Sequence, residues 1–166
     1  VETNPTNRPE LNLSNLLSYP LVEDNDDILF TTENGSIYSV YFTDGSNYLP
    51  DASFSTFVLM FGFERKHRVR SRSGFDPRIL PTVVKVLYLA FQKQPDLIVV
   101  YVCSQANGLQ QVRNTLFEKL YQQFKAGYRK LDYNDGESFF SSAIFREANP
   151  YAEELEERIQ TFIRDK

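Results

Sequence analysis

Six of the chain's eighteen Lys and Arg residues fall in one short stretch: Arg65, Lys66, Arg68, Arg70, Arg72 and Arg78. Guanidinium groups grip carboxylate and phosphate oxygens in pairs, so a run this dense points to an anionic ligand or an acidic partner. The alternation Arg68, Arg70, Arg72 puts three cations on one face if the strand before them continues that far. His67, the only histidine, reads as part of the same anion surface. The competing account is a solvated loop balanced by Glu23, Asp24, Asp26 and Asp27.

Other chemistry is thinly represented. Cys103 is the only cysteine and ends an apolar run, where a core thiol is the expectation. One His and one Cys do not make a transition-metal site, and Asp24 to Asp27 lacks the ligand spacing of a calcium loop. Tyr38, Tyr41, Tyr48 and Tyr101 have rings that stack on ligands, but in strands such residues read as core or cross-strand partners. A net charge of -4 excludes a general nucleic-acid coat and leaves room only for local contact.

The positioning elements follow from the pattern. Ile28 to Glu33 and Ser36 to Thr43 alternate around Asn34-Gly35, a hairpin signal because both turn residues tolerate positive φ. Asp44-Gly45 offers a second turn, and Phe54 to Arg65 is a third strand with Phe57, Leu59, Phe61 and Phe63 on one face. The basic run begins where that strand ends. Asp76-Pro77 predicts a helix start, with Pro81 in its first turn and the helix running to about Lys93. Its residues Val83, Val84, Val86, Leu87 and Phe91 surround the axis, as in a helix buried on more than one side. Asp96 to Cys103 reads as a central strand. A second helix is expected over Leu109 to Lys125, strands over Tyr128 to Tyr133 and Ser138 to Arg146, and a last helix from Asn149-Pro150.

The expected fold is therefore α+β, a mainly antiparallel twisted sheet with three flanking helices, in the order β-β-β-α-β-α-β-β-α. Residues 1–27 read as a tail and docking arm, and residues 28–166 as a single domain. Val1 is not an initiator Met, so the expectation is a processed chain or a fragment. No secretory signal or membrane span is evident, and a cytoplasmic setting without membrane contact is the expectation.

This order resembles the core of GNAT-type acyltransferases over roughly Ile28 to Arg146. The local text is similar at the strand ending Phe63-Glu64-Arg65, at the segment from Val99 to Gly108, at Leu116 to Leu120 against the family's Tyr-Glu-Lys-Leu, and at Ala126-Gly127-Tyr128. The chain also resembles an uncharacterised bacterial family through Asn34-Gly35-Ser36-Ile37-Tyr38 and Val99 to Cys103. The first resemblance implies acetyl-coenzyme A as cofactor. The cofactor-binding residues it implies are Arg65, Arg68, Arg70, Ser71, Arg72, Ser73, Gly74 and Arg78, with Asn107 in the later loop.

It also implies Glu64 as general base, and Tyr121 as general acid one helical turn beyond Phe117, which occupies the family's tyrosine position. Three residues separate Arg70 from Gly74 where the family has two. Asp76 stands where a small residue is usual, so its carboxylate would occupy the anion site. The leading expectation is thus a catalytically degenerate GNAT-like module. It would bind an anionic small molecule or an acidic protein surface through residues 65–78. A working acyl-coenzyme A dependent N-acyltransferase is the alternative, and local nucleic-acid binding the third.

Overall fold

The computed structural model describes residues 16–47, 49, 51–69, 76–104, 115, 118–119, 121–122, 126–134 and 139–164, with the backbone alone at 102–104, 133–134, 139–141 and 160–164. The fold is α+β: among the described residues, a mixed, mostly antiparallel seven-stranded sheet carries two complete helices. The strands are β1 (Val22–Asp24), β2 (Asp27–Thr31), β3 (Ile37–Asp44), β4 (Val58–His67), β5 (Ile98–Ser104), β6 (Tyr128–Asn134) and β7 (Phe139–Arg146). Helix α1 spans Ile79–Lys93 and α2 spans Ala152–Arg164. The sheet order is β1-β2-β3-β4-β5-β7-β6, with β4 and β5 parallel and every other pair antiparallel.

Alternation along the strands divides the core in two. Phe61, Val99, Tyr101 and Ile144 face α1 and join its buried Val83, Val84, Leu87 and Phe91. Val58, Ile98, Val100 and Phe145 leave the other face and meet Leu155 and Ile159 of α2. Ile98 to Tyr101 of β5 are buried on both faces, which accounts for their unbroken apolar run. Helix α1 is covered on most sides, as its sequence implies, and only Leu89 among its large apolar residues is well exposed.

Several local expectations need correction. Helix α1 begins at Ile79 rather than at Asp76-Pro77; Asp76 instead closes a turn, its Oδ1 accepting the Arg78 N–H at 2.9 Å. In the β2–β3 connection only Gly35 takes positive φ (85°), while the Asn34 side chain accepts from the Ser36 N–H at 3.0 Å. A side-chain bond thus does what a second left-handed residue would have done. Phe57 belongs to a short 3-10 turn before β4, so that strand starts later and runs on to His67. The acidic stretch forms the β1–β2 turn, with Asn25 at φ 55°. The middle helix expected over 109–125 lies largely outside the described residues; Thr115, Glu118, Lys119, Tyr121 and Gln122 have helical backbone.

Candidate functional site

Strands β4 and β5 pair over three residues only: Val58 with Ile98, Leu59 with Val99, and Met60 with Val100. Both strands then continue, β4 to His67 and β5 to Ser104, without pairing to each other. Each keeps its other neighbour, since β3 follows β4 to His67 and β7 follows β5 to Ser104. Beyond Met60 and Val100 the two strands part, and a gap opens between them inside the sheet. Helix α1 begins shortly after the open end of β4, beyond the basic segment.

The approach to α1 is tied to the N-terminal arm. Tyr19, almost fully buried, donates its phenol to Asp76 Oδ2 at 2.6 Å and accepts from the Glu33 N–H at 3.3 Å. Burial, and then donation to Asp76, push the phenol's pKa above its ordinary value. The Tyr19 N–H donates to Thr82 Oγ1 at 2.9 Å, and that hydroxyl donates to the Arg78 carbonyl at 2.6 Å. The Arg78 guanidinium lies 3.9 Å from the centre of the Tyr19 ring, donates to the Ser18 carbonyl at 3.2 Å and sits 3.5 Å from a Glu33 oxygen.

Arg78 is thereby a brace between arm, hairpin and helix. The Asp76 carboxylate occupies an N–H ahead of α1, and Pro81 supplies no donor in the first turn. The helix end is consequently a poorer anion cradle than a free one. Tyr19→Phe removes the phenol from both bonds and leaves one Asp76 oxygen unpaired. It should cost about 1–2 kcal/mol of stability, read as a lower midpoint in urea unfolding at an unchanged slope.

Arg65 and Arg68 differ from Arg78. Both are exposed, and among the described residues neither has an ion-pair partner. They line a half-open groove of about 850 Å³ between the β2–β3 hairpin, the end of β4 and the start of α1. Its Tyr19, Tyr38 and Phe63 belong to a row of nearly parallel rings completed by the buried Phe30: Tyr19 and Phe30 at 6.0 Å, Phe30 and Tyr38 at 5.3 Å, and Tyr38 and Phe63 at 5.4 Å, tilted by only 9–11°.

Glu64 points to the opposite face from Phe63 and Arg65. It pairs with Lys66 at 2.6 Å, and Lys66 also reaches Asp27 at 3.4 Å, whose carboxylate accepts from the buried Ser39 hydroxyl at 2.9 Å. Lys66 thus does balance part of the acidic stretch.

Tyr121 lies on the α1 face, its hydroxyl 3.4 Å from the Tyr128 carbonyl and its ring 5.9 Å from Lys130 Nζ. Lys130 is a residue that sequence reasoning missed. Its side chain is 4% exposed, and its ammonium meets Glu118 at 2.6 Å and Asp132 at 2.8 Å. Asp132 also accepts from the Ser142 hydroxyl. Burial opposes the Lys130 charge, but the bonds to Asp132 and Glu118 outweigh it and hold the pKa above the ordinary lysine value. No local pattern marks it, since β6 reads Tyr-Arg-Lys-Leu-Asp-Tyr-Asn, with charged residues on both faces.

Glu64 and Tyr121 therefore lie on opposite sides of the sheet, whereas Arg65, Arg68 and Arg78 share one groove. Arg70, Ser71, Arg72, Ser73, Gly74 and Asn107 lie outside the described residues, as does the Cys103 side chain; the Cys103 backbone pairs with Phe140. Among the described residues no group of three or more His, Cys, Asp or Glu is placed to hold a metal ion, and no helix is long and apolar enough to cross a membrane. No model of a known protein family matches the chain, and no curated protein does.

Proposed function

We propose that this chain is a GNAT-like module that binds an anionic ligand of the acyl-coenzyme A class and does not use Glu64 and Tyr121 as an acid–base pair. The β4–β5 divergence carries this reading. Three rungs of parallel pairing, after which the two strands part inside the sheet, suit a linear ligand with amide groups lying between them. The basic segment 70–78 follows the open strand and supplies positive potential for its phosphates. The positions of Glu64 and Tyr121 on opposite sides of the sheet, and the engagement of Glu64 by Lys66, favour binding over catalysis.

A thermal-shift titration tests the proposal. At a hundredfold excess over the dissociation constant, acetyl-coenzyme A should stabilise the fold by about 2.7 kcal/mol. For a chain of this size that is roughly 5–10 °C in midpoint, and Gly74→Glu, which adds a carboxylate to the basic segment, should abolish it. An unchanged midpoint at millimolar coenzyme would refute binding. Thiol release from acetyl-coenzyme A with amine acceptors, lost in both Glu64→Gln and Tyr121→Phe, would instead establish the working transferase.

A further inference from the structure

The groove beside Arg65 and Arg68 is not the β4–β5 gap. Among the described residues its lining comes from the arm at Leu17 and Tyr19, the β2–β3 hairpin, Phe63 to Val69 and residues 76–80 at and before the start of α1, and none comes from β5. It therefore opens on the β3 side of β4, whereas the gap opens on the β5 side. A ligand threading the gap would leave these two arginines unused.

The geometry points to a second ligand site in this groove, for a small molecule that carries a carboxylate or phosphate on a flat ring. Three features define that chemistry. Among the described lining residues, Arg65 and Arg68 are the cations without an acidic partner, so together they offer two guanidinium forks to one oxyanion. The two lining acids are already engaged, Glu33 beside Arg78 and Asp76 by the Tyr19 hydroxyl and the Arg78 N–H, which limits their repulsion of an anion.

The ring row ends at Tyr38 and Phe63, both only partly buried and both lining the groove. A planar ring lying there would extend the stack while its anion reached Arg65, two residues along the same strand face. A volume of about 850 Å³ accommodates a molecule of mononucleotide size with solvent to spare. This assignment rests on the groove alone and is independent of the coenzyme proposal.

Calorimetry on the full chain tests it with two ring-bearing oxyanions, adenosine 5′-monophosphate and phenylacetate, against inorganic phosphate, acetate and adenosine. At least one of the first two should bind ten times more tightly than its separate halves. Arg65→Gln with Arg68→Gln should weaken that binding at least tenfold with an unchanged circular dichroism spectrum, because both side chains are exposed. Tyr38→Ser should weaken it as well.

If neither ring-bearing probe outbinds phosphate or acetate, or if the arginine pair proves dispensable, the site is refuted. Competition with acetyl-coenzyme A divides the remaining cases. Independent binding supports a separate site, and mutual displacement overturns it by assigning the groove to the coenzyme. Binding of a ring-bearing oxyanion by a chain indifferent to acetyl-coenzyme A would uphold the groove and refute the coenzyme proposal.

Discussion

Gly62→Val is expected to destabilise the fold by ~1–3 kcal/mol, the usual range for overpacking a filled site. A Cβ at Gly62 would fall 2.1 Å from Tyr41 Cζ and 2.6 Å from its hydroxyl oxygen, so the ring must move. Tyr41 and Gly62 are direct cross-strand partners in β3 and β4, and the aromatic ring covers the backbone that glycine leaves bare. The position is two residues beyond the last β4–β5 rung. Thermal unfolding of Gly62→Val, Tyr41→Ala and the double variant forms a cycle. The double variant should be more stable than the sum of the single losses implies, by at least ~0.5 kcal/mol. Strict additivity would show that the ring is not what excludes a side chain at 62.

The second large effect is expected at Lys130. Lys130→Ala removes a buried stem and two ion pairs, and should cost ~2–3 kcal/mol. That is below the range for a wholly buried pair because Glu118 and Asp132 are about half exposed or more and regain water. Lys130→Met keeps the stem and should cost less than half as much. The pH profile separates charge from packing. Hydrogen bonds from Lys130, and then from Gln122, depress the Glu118 pKa, so this stabilisation is present above the ordinary glutamate value of about 4.3 and is lost as pH falls through the depressed one.

The Lys130 pKa is raised, so its contribution is present below the ordinary lysine value of about 10.4 and fades only as pH climbs past the elevated one. The stability difference between wild type and Lys130→Met should thus be flat from about pH 5 to 10 and narrow in acid. A difference that stays constant down to pH 2 would show that the pair carries no weight.

The sheet was legible wherever local pattern and burial agree. The apolar run around Val99 reads as a central strand because both of its faces are covered, and the alternation of Leu59, Phe61 and Phe63 places them on one face of β4. Edges of elements were less so: Asp76 and Pro77 carry the chemistry of a helix start, yet a tertiary bond from Tyr19 draws that carboxylate into a turn before α1.

The site was only half legible. Charge density singled out Arg65 and Arg68, but nothing in sequence spacing separates them from Arg78, which differs because Glu33, Ser18 and Tyr19 converge on it from distant segments. Tyr38 read as a core residue, and is one on its Phe30 side; its exposure to the groove depends on where the hairpin meets α1. Pairwise meetings of this kind, such as Lys130 with Glu118, are set by packing between elements and leave no local trace.

The three-rung seam between β4 and β5 also has a mechanical meaning. It is the whole of the strand pairing between one plate made of β1 to β4 and another made of β5, β7 and β6. Each plate is internally laced by long antiparallel ladders, so shear is concentrated at the seam and in the helices that lie across it. A molecule hydrogen-bonded to both lips of the gap would act as a strut, coupling the two plates more stiffly than the protein's own rungs do.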